Sequence, residues 1–137
     1  MIFGEVIMSL PIKLPPFGKF VDALNAAGVK TATARGFWGG VNDNGELVVT
    51  IWTDAHDKTG KFYLWRPKTN HGGLKTQWEL GNITVGSEVR VILLRQRGNV
   101  PLGQYGRTVA GAALLPGNWR VAKLVGDEHW HALVEPV

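Results

Sequence analysis

The chain has no cysteine and only two serines, Ser9 and Ser87. Without cysteine there is no disulfide framework, no thiolate nucleophile and no cysteine-based zinc site. That fits a cytoplasmic protein. With two serines, no serine–histidine–acid arrangement stands out. Long apolar runs are missing too: the opening MIFGEVIMSLPIKLPP is broken by Glu5, Lys13 and prolines. It reads as neither signal peptide nor membrane span, so no membrane partner is expected. Acidic residues are absent from two stretches, 58–78 and 89–126. Neither glycine cluster has the spacing or the following helix of a phosphate loop or dinucleotide site.

What is present fits one globular domain. The 137 residues hold a real core but not two. We expect an N-terminal extension over 1–16 and a single domain over 17–137. Eighteen glycines and seven prolines imply many turns and therefore many short elements. The net charge is +4 and the isoelectric point about 9.6, which favours a polyanionic partner. The two acid-free stretches carry Lys58, Lys61, Arg66, Lys68, Lys75, Arg90, Arg95, Arg97, Arg107, Arg120 and Lys123. Trp65, Trp78, Tyr105 and Trp119 are interleaved with them, as on a surface that tracks phosphates and stacks bases.

The spacing of Phe17, Phe20, Val21 and Leu24 predicts one helix over 18–27, stopped by Gly28. Beyond it the pattern turns to strands. Residues 31–38 are β-compatible, and Asn42-Asp43-Asn44-Gly45 before 47–52 predicts a hairpin over 37–53. Further strands are expected at 61–65, 89–94, 108–115, 119–124 and 130–134, with a short edge segment at 78–80. Stretch 88–112 is central: a buried run ends in Arg95-Gln96-Arg97, beside a loop holding Gly98, Pro101, Gly103 and Gly106. The fold class is mainly β (α+β), a small, mostly antiparallel barrel with one helix packed on it.

Catalytic signals are thin. Asp54, His56 and Asp57 are close in sequence, but such a loop is ordinarily a solvated turn. His129 and His131, two apart, would share one face of a strand, yet no third ligand stands out nearby. No metal, cofactor or catalytic residue is assigned. The six tryptophans are a surplus: a core of this size absorbs three or four, leaving Trp65 and Trp78 as candidates for stacking on a base.

Several motifs in order resemble a known family. They are Leu64-Trp65-Arg66-Pro67, an isolated Trp78, the turn Gly86-Ser87, and a strand running into Leu94-Arg95-Gln96. Pro101, Gly103 and Ala110-Gly111-Ala112 follow, with Trp130-His131-Ala132-Leu133-Val134-Glu135-Pro136 at the end. Over 34–136 the chain resembles the EVE-like, PUA-related domains found ahead of HNH nuclease modules in modification-dependent restriction proteins. The resemblance implies a PUA-like barrel that binds nucleic acid, and DNA is expected ahead of RNA as the partner. In several relatives an aromatic-walled pocket accepts a flipped, modified base. Carried over, Trp65, Trp78, Arg95 and Gln96 would form the pocket or its rim. Arg66 stands where such relatives commonly have asparagine, and no HNH module lies within these residues. A nuclease would then be a partner or a fused module.

The sequence therefore predicts a non-enzymatic DNA-binding module. Trp65 and Trp78 would stack, Gln96 would bond a base edge, and Arg66 would stand beside the motif tryptophan. Arg95, Arg97 and Arg107 would neutralise phosphates. The alternatives are a small-molecule or protein-interaction module on the same barrel, and, third, a metal-dependent hydrolase built on Asp54, His56 and His129.

Overall fold

The structure is a computed structural model describing residues 14–30, 37–68, 73–126 and 129–137. The strand expected at 31–38 falls largely outside those residues. The described chain is mainly β: seven strands in one mixed sheet, with two helices. The strands are β1 (Gly39–Val41), β2 (Leu47–Trp52), β3 (Phe62–Trp65), β4 (Glu88–Arg97), β5 (Thr108–Leu114), β6 (Trp119–Val125) and β7 (His131–Pro136). The helices are α1 (Phe20–Ala26) and α2 (Leu74–Glu79). The order is β1-β2-β4-β6-β7-β3, with β5 also paired to β4. β1 and β3 end the ladder unpaired with each other, so the sheet is not closed where a barrel was expected.

Most pairings are antiparallel; β2 and β4 run parallel, joined by the long crossover through β3 and α2. β4 is the hub, because β2 lies along one edge while β5 and the start of β6 share the other. Its side chains alternate between two cores. Val89, Val91 and Leu93 meet Phe62, Leu64, Trp119, Val121 and Val134 from the β6-β7-β3 half. Ile92 and Leu94 meet Leu24, Ala27, Val48 and Ala112 under α1. Burial on both faces explains the unbroken apolar run, which a one-faced strand would interrupt with polar residues.

Helix α1 falls within the expected range, but Val21 is exposed and Ala23, Leu24 and Ala27 make the contact. It ends where Gly28, at φ +86°, turns the chain onto the β1–β2 turn. There Asn42 donates to Ala27 O (2.8 Å) and Glu46 Oε1 (2.9 Å), and its Oδ1 accepts from the amides of Asn44 and Glu46. A Cβ at Gly28 would come within 2.8 Å of Asn42 Nδ2, so glycine serves both the turn and the approach.

The expected edge strand at 78–80 is instead the C-terminal part of α2 and the residue after it. Leu74 and Trp78, four apart, bury one face, and Lys75 pairs with Glu79 across the same spacing at 3.6 Å. At six residues the helix is too short to print a periodic pattern on the sequence. The described residues thus carry two helices, where one was expected.

Candidate functional site

A cleft of about 630 Å³ opens where three segments meet. The end of the β1–β2 hairpin supplies Trp38, Thr50 and Trp52; β3 supplies Tyr63 and Trp65, followed by Arg66 and Lys68. The loop 98–107 supplies Leu102, Tyr105 and Arg107. The alternation of β3 places these rings: Phe62 and Leu64 face the core, so Tyr63 and Trp65 face out, 5.6 Å apart between ring centroids. Trp65 is 40% exposed and Tyr105 90%. Among the described residues that line it there is no aspartate or glutamate.

The loop is held to the sheet by Arg107. Its guanidinium grips Asp54 with two bonds of 2.8 and 2.7 Å, donates through Nε to Val100 O (3.0 Å), and lies 5.2 Å from the Trp52 ring. Only 5% of that side chain is exposed. The hydrogen bond from Arg107, and behind it the attraction of the cation, hold the Asp54 carboxyl below its usual range against the cost of burial. Asp54 is therefore ionised and neutralised. Gln96 completes the stem: its amide donates to Val100 O (2.9 Å) and accepts from Val100 N–H (3.0 Å).

Behind the β3 rings stands His131, the cross-strand neighbour of Trp65. Its ring lies 5.6 Å from Tyr63, 6.0 Å from Trp65 and 4.1 Å from Trp130. Burial pushes its pKa below 6.5, and among the described residues its Nδ1 has no hydrogen-bond partner. A neutral imidazole is what packs there. Trp130 lies against Gly126, where a Cβ would run into the indole.

The structure brings together some of the residues singled out from sequence and separates others. Trp65, Arg66 and Arg107 line the cleft. Trp78 does not: it is 7% exposed in the core, its indole donating to His129 O at 3.1 Å. Arg95 lies over Phe17, 4.9 Å from the ring, with Gly111 opposite it leaving the room. Arg97 is exposed at the end of β4, paired in register with Thr108 and outside the cleft. Gln96 commits its amide to Val100, and Arg107 commits its guanidinium to Asp54 and Val100.

Asp57 caps its own turn, accepting from Thr59 N, Thr59 Oγ1 and Lys61 N. His129 precedes β7 in a left-handed conformation, so it does not share a strand face with His131. Among the described residues no group of three potential ligands gathers around a metal position. Comparison with family models, with curated proteins and with solved structures finds no match. Ligand preference must be read from the cleft itself.

Sequence reasoning gave Trp38 and Trp52 no part in the site, and named Lys68 and Tyr105 only among the basic and aromatic residues of an interleaved surface. The signal available was the alternation of β3, which put Tyr63 beside Trp65. The rest depends on a crossover and a loop distant in sequence.

Proposed function

We propose that this protein is a non-enzymatic nucleic-acid-binding module that seats one base in the aromatic cleft, in DNA a modified base flipped from the helix. The observation that carries the reading is the composition of the cleft. Several aromatic faces stand beside the cations Arg66 and Lys68, and among the described residues no lining carboxylate opposes them. A cage for an organic cation would want the reverse charge. A flat ring attached to phosphate satisfies both features. Extruding a base costs a few kcal/mol, and each stacked aromatic returns about 1–3 kcal/mol. On this reading the open sheet is a relative of the EVE-like, PUA-related barrels, working in the cytoplasm with a nuclease as partner or fused module. Roles for Arg95 and Arg97 then lie on flanking phosphates, outside the cleft.

Two substitutions test the cleft directly. Trp65→Ala costs about 1–3 kcal/mol of binding to DNA, and Arg66→Ala lowers the salt slope by about 1. If neither changes in folded protein, the cleft is not the interface. The cleft's volume also suits a small organic ligand. That second reading predicts binding insensitive to salt.

A further inference from the structure

Tyr105 has almost nothing packed on its ring, at 90% exposure the most exposed large hydrophobic among the described residues, yet it lines the cleft. Its segment has a fixed stem and a free tip. The stem is held by the two Gln96–Val100 bonds and by the grip of Arg107 on Asp54, Val100 and Trp52. The tip contains one reverse turn, with Gln104 N–H on Pro101 O at 3.2 Å. Gly103 (φ +89°) and Gly106 (φ +99°) bracket Tyr105 in left-handed conformations, and neither has a neighbour within 4 Å of where a Cβ would stand. Nothing in the folded core requires a tyrosine there. Ordering a tyrosine ring costs little entropy, because two torsions fix it.

We propose that residues 101–106 form a clasp, and that Tyr105 is the second stacking face for a base seated against Trp65. The inference rests on the nucleic-acid reading of the cleft and gives Tyr105, one of several interleaved aromatics in the sequence, a definite place in it. The stem sets where the clasp hangs, and the two glycines let its tip swing. Closure sandwiches the base and leaves its phosphate beside Arg66 and Lys68. Bound nucleotide is then released only after the clasp opens, so the residue acts mainly on dissociation.

The test uses the full chain and a short fluorescein-labelled single-stranded DNA, with affinity and dissociation rate measured for wild type, Tyr105→Ala and Tyr105→Phe. Tyr105→Ala should weaken binding roughly 5- to 150-fold, the loss of one stacking partner, chiefly through faster dissociation. Tyr105→Phe should stay near wild type, and neither variant should move the melting temperature. Wild-type binding with an unchanged Tyr105→Ala affinity overturns the clasp while leaving the cleft reading intact. So does a Tyr105→Phe loss as large as that of Tyr105→Ala, which would make the hydroxyl the contact. Absence of binding by wild type at low salt removes the reading and the clasp together.

Discussion

Removing the Asp54 carboxylate would leave the Arg107 guanidinium, 5% exposed, facing only Val100 O and the Trp52 ring. A buried charge without its partner is strongly destabilising. Because the Asp54 side chain is itself 33% exposed, solvent compensates in part. Asp54→Ala should therefore cost about 1–3 kcal/mol in urea unfolding. A loss under about 0.5 kcal/mol would mean the pair behaves as a solvated surface contact. The pair's pH dependence has a definite sign. The folded pKa of Asp54 is below 3.8, so its contribution is present above that value and lost as pH falls through the folded one. His131 acts in the same direction nearer neutrality. Its folded pKa lies below 6.5, so the unfolded chain binds the proton first and stability falls as pH drops below 6.5. His131→Phe should flatten the pH 5–7 segment of a thermal-melt profile; equal slopes in variant and wild type would contradict a buried neutral imidazole. The pairing of Asp54 with Arg107 was not legible in the sequence, since the two residues are far apart in the chain.

At the scale of elements, Asn42 joins the β1–β2 turn to the end of α1 through one hydrogen bond, to Ala27 O, and closes the turn itself with three more. Asn42→Ala should lower stability by about 2–3 kcal/mol, because Ala27 O and two turn amides lose partners. Asn42→Asp should cost at least as much, since it removes the donor and sets a carboxylate against Ala27 O and Glu46. Urea melts of both variants check this, and a near-neutral Asn42→Asp would show that the bond to Ala27 is not made. The turn itself was readable from Asn42-Asp43-Asn44-Gly45, because its chemistry is local. So was the β4–β5 hairpin, from its apolar run and glycines. Helix α2 was not: the pairing of Leu74 with Trp78 becomes informative only once β1 lies against it. Trp78 was misassigned for the same reason, an indole in a basic stretch that is drawn inward by the helix it sits on.

For the whole molecule, composition announced a β-rich domain with surplus aromatics and positive charge. It did not announce the openness of the sheet. The opening lies between β1 and β3, the two ends of the strand order, which do not pair with each other. The consequence for function is the cleft, assembled from a hairpin end, β3 and a loop that come together only in the folded chain. Its charge balance is also a property of the fold: Asp54 is cancelled by Arg107, and Arg66 and Lys68 remain at the opening. The central claim is that this cleft takes a base attached to phosphate. Its most direct test is tryptophan fluorescence during titration with short DNA duplexes, with and without modified cytosine, at two salt concentrations. We predict quenching from Trp65 and its neighbours that weakens at the higher salt and is stronger for the modified duplex. A folded protein whose fluorescence is unchanged by either duplex at low salt would contradict the claim.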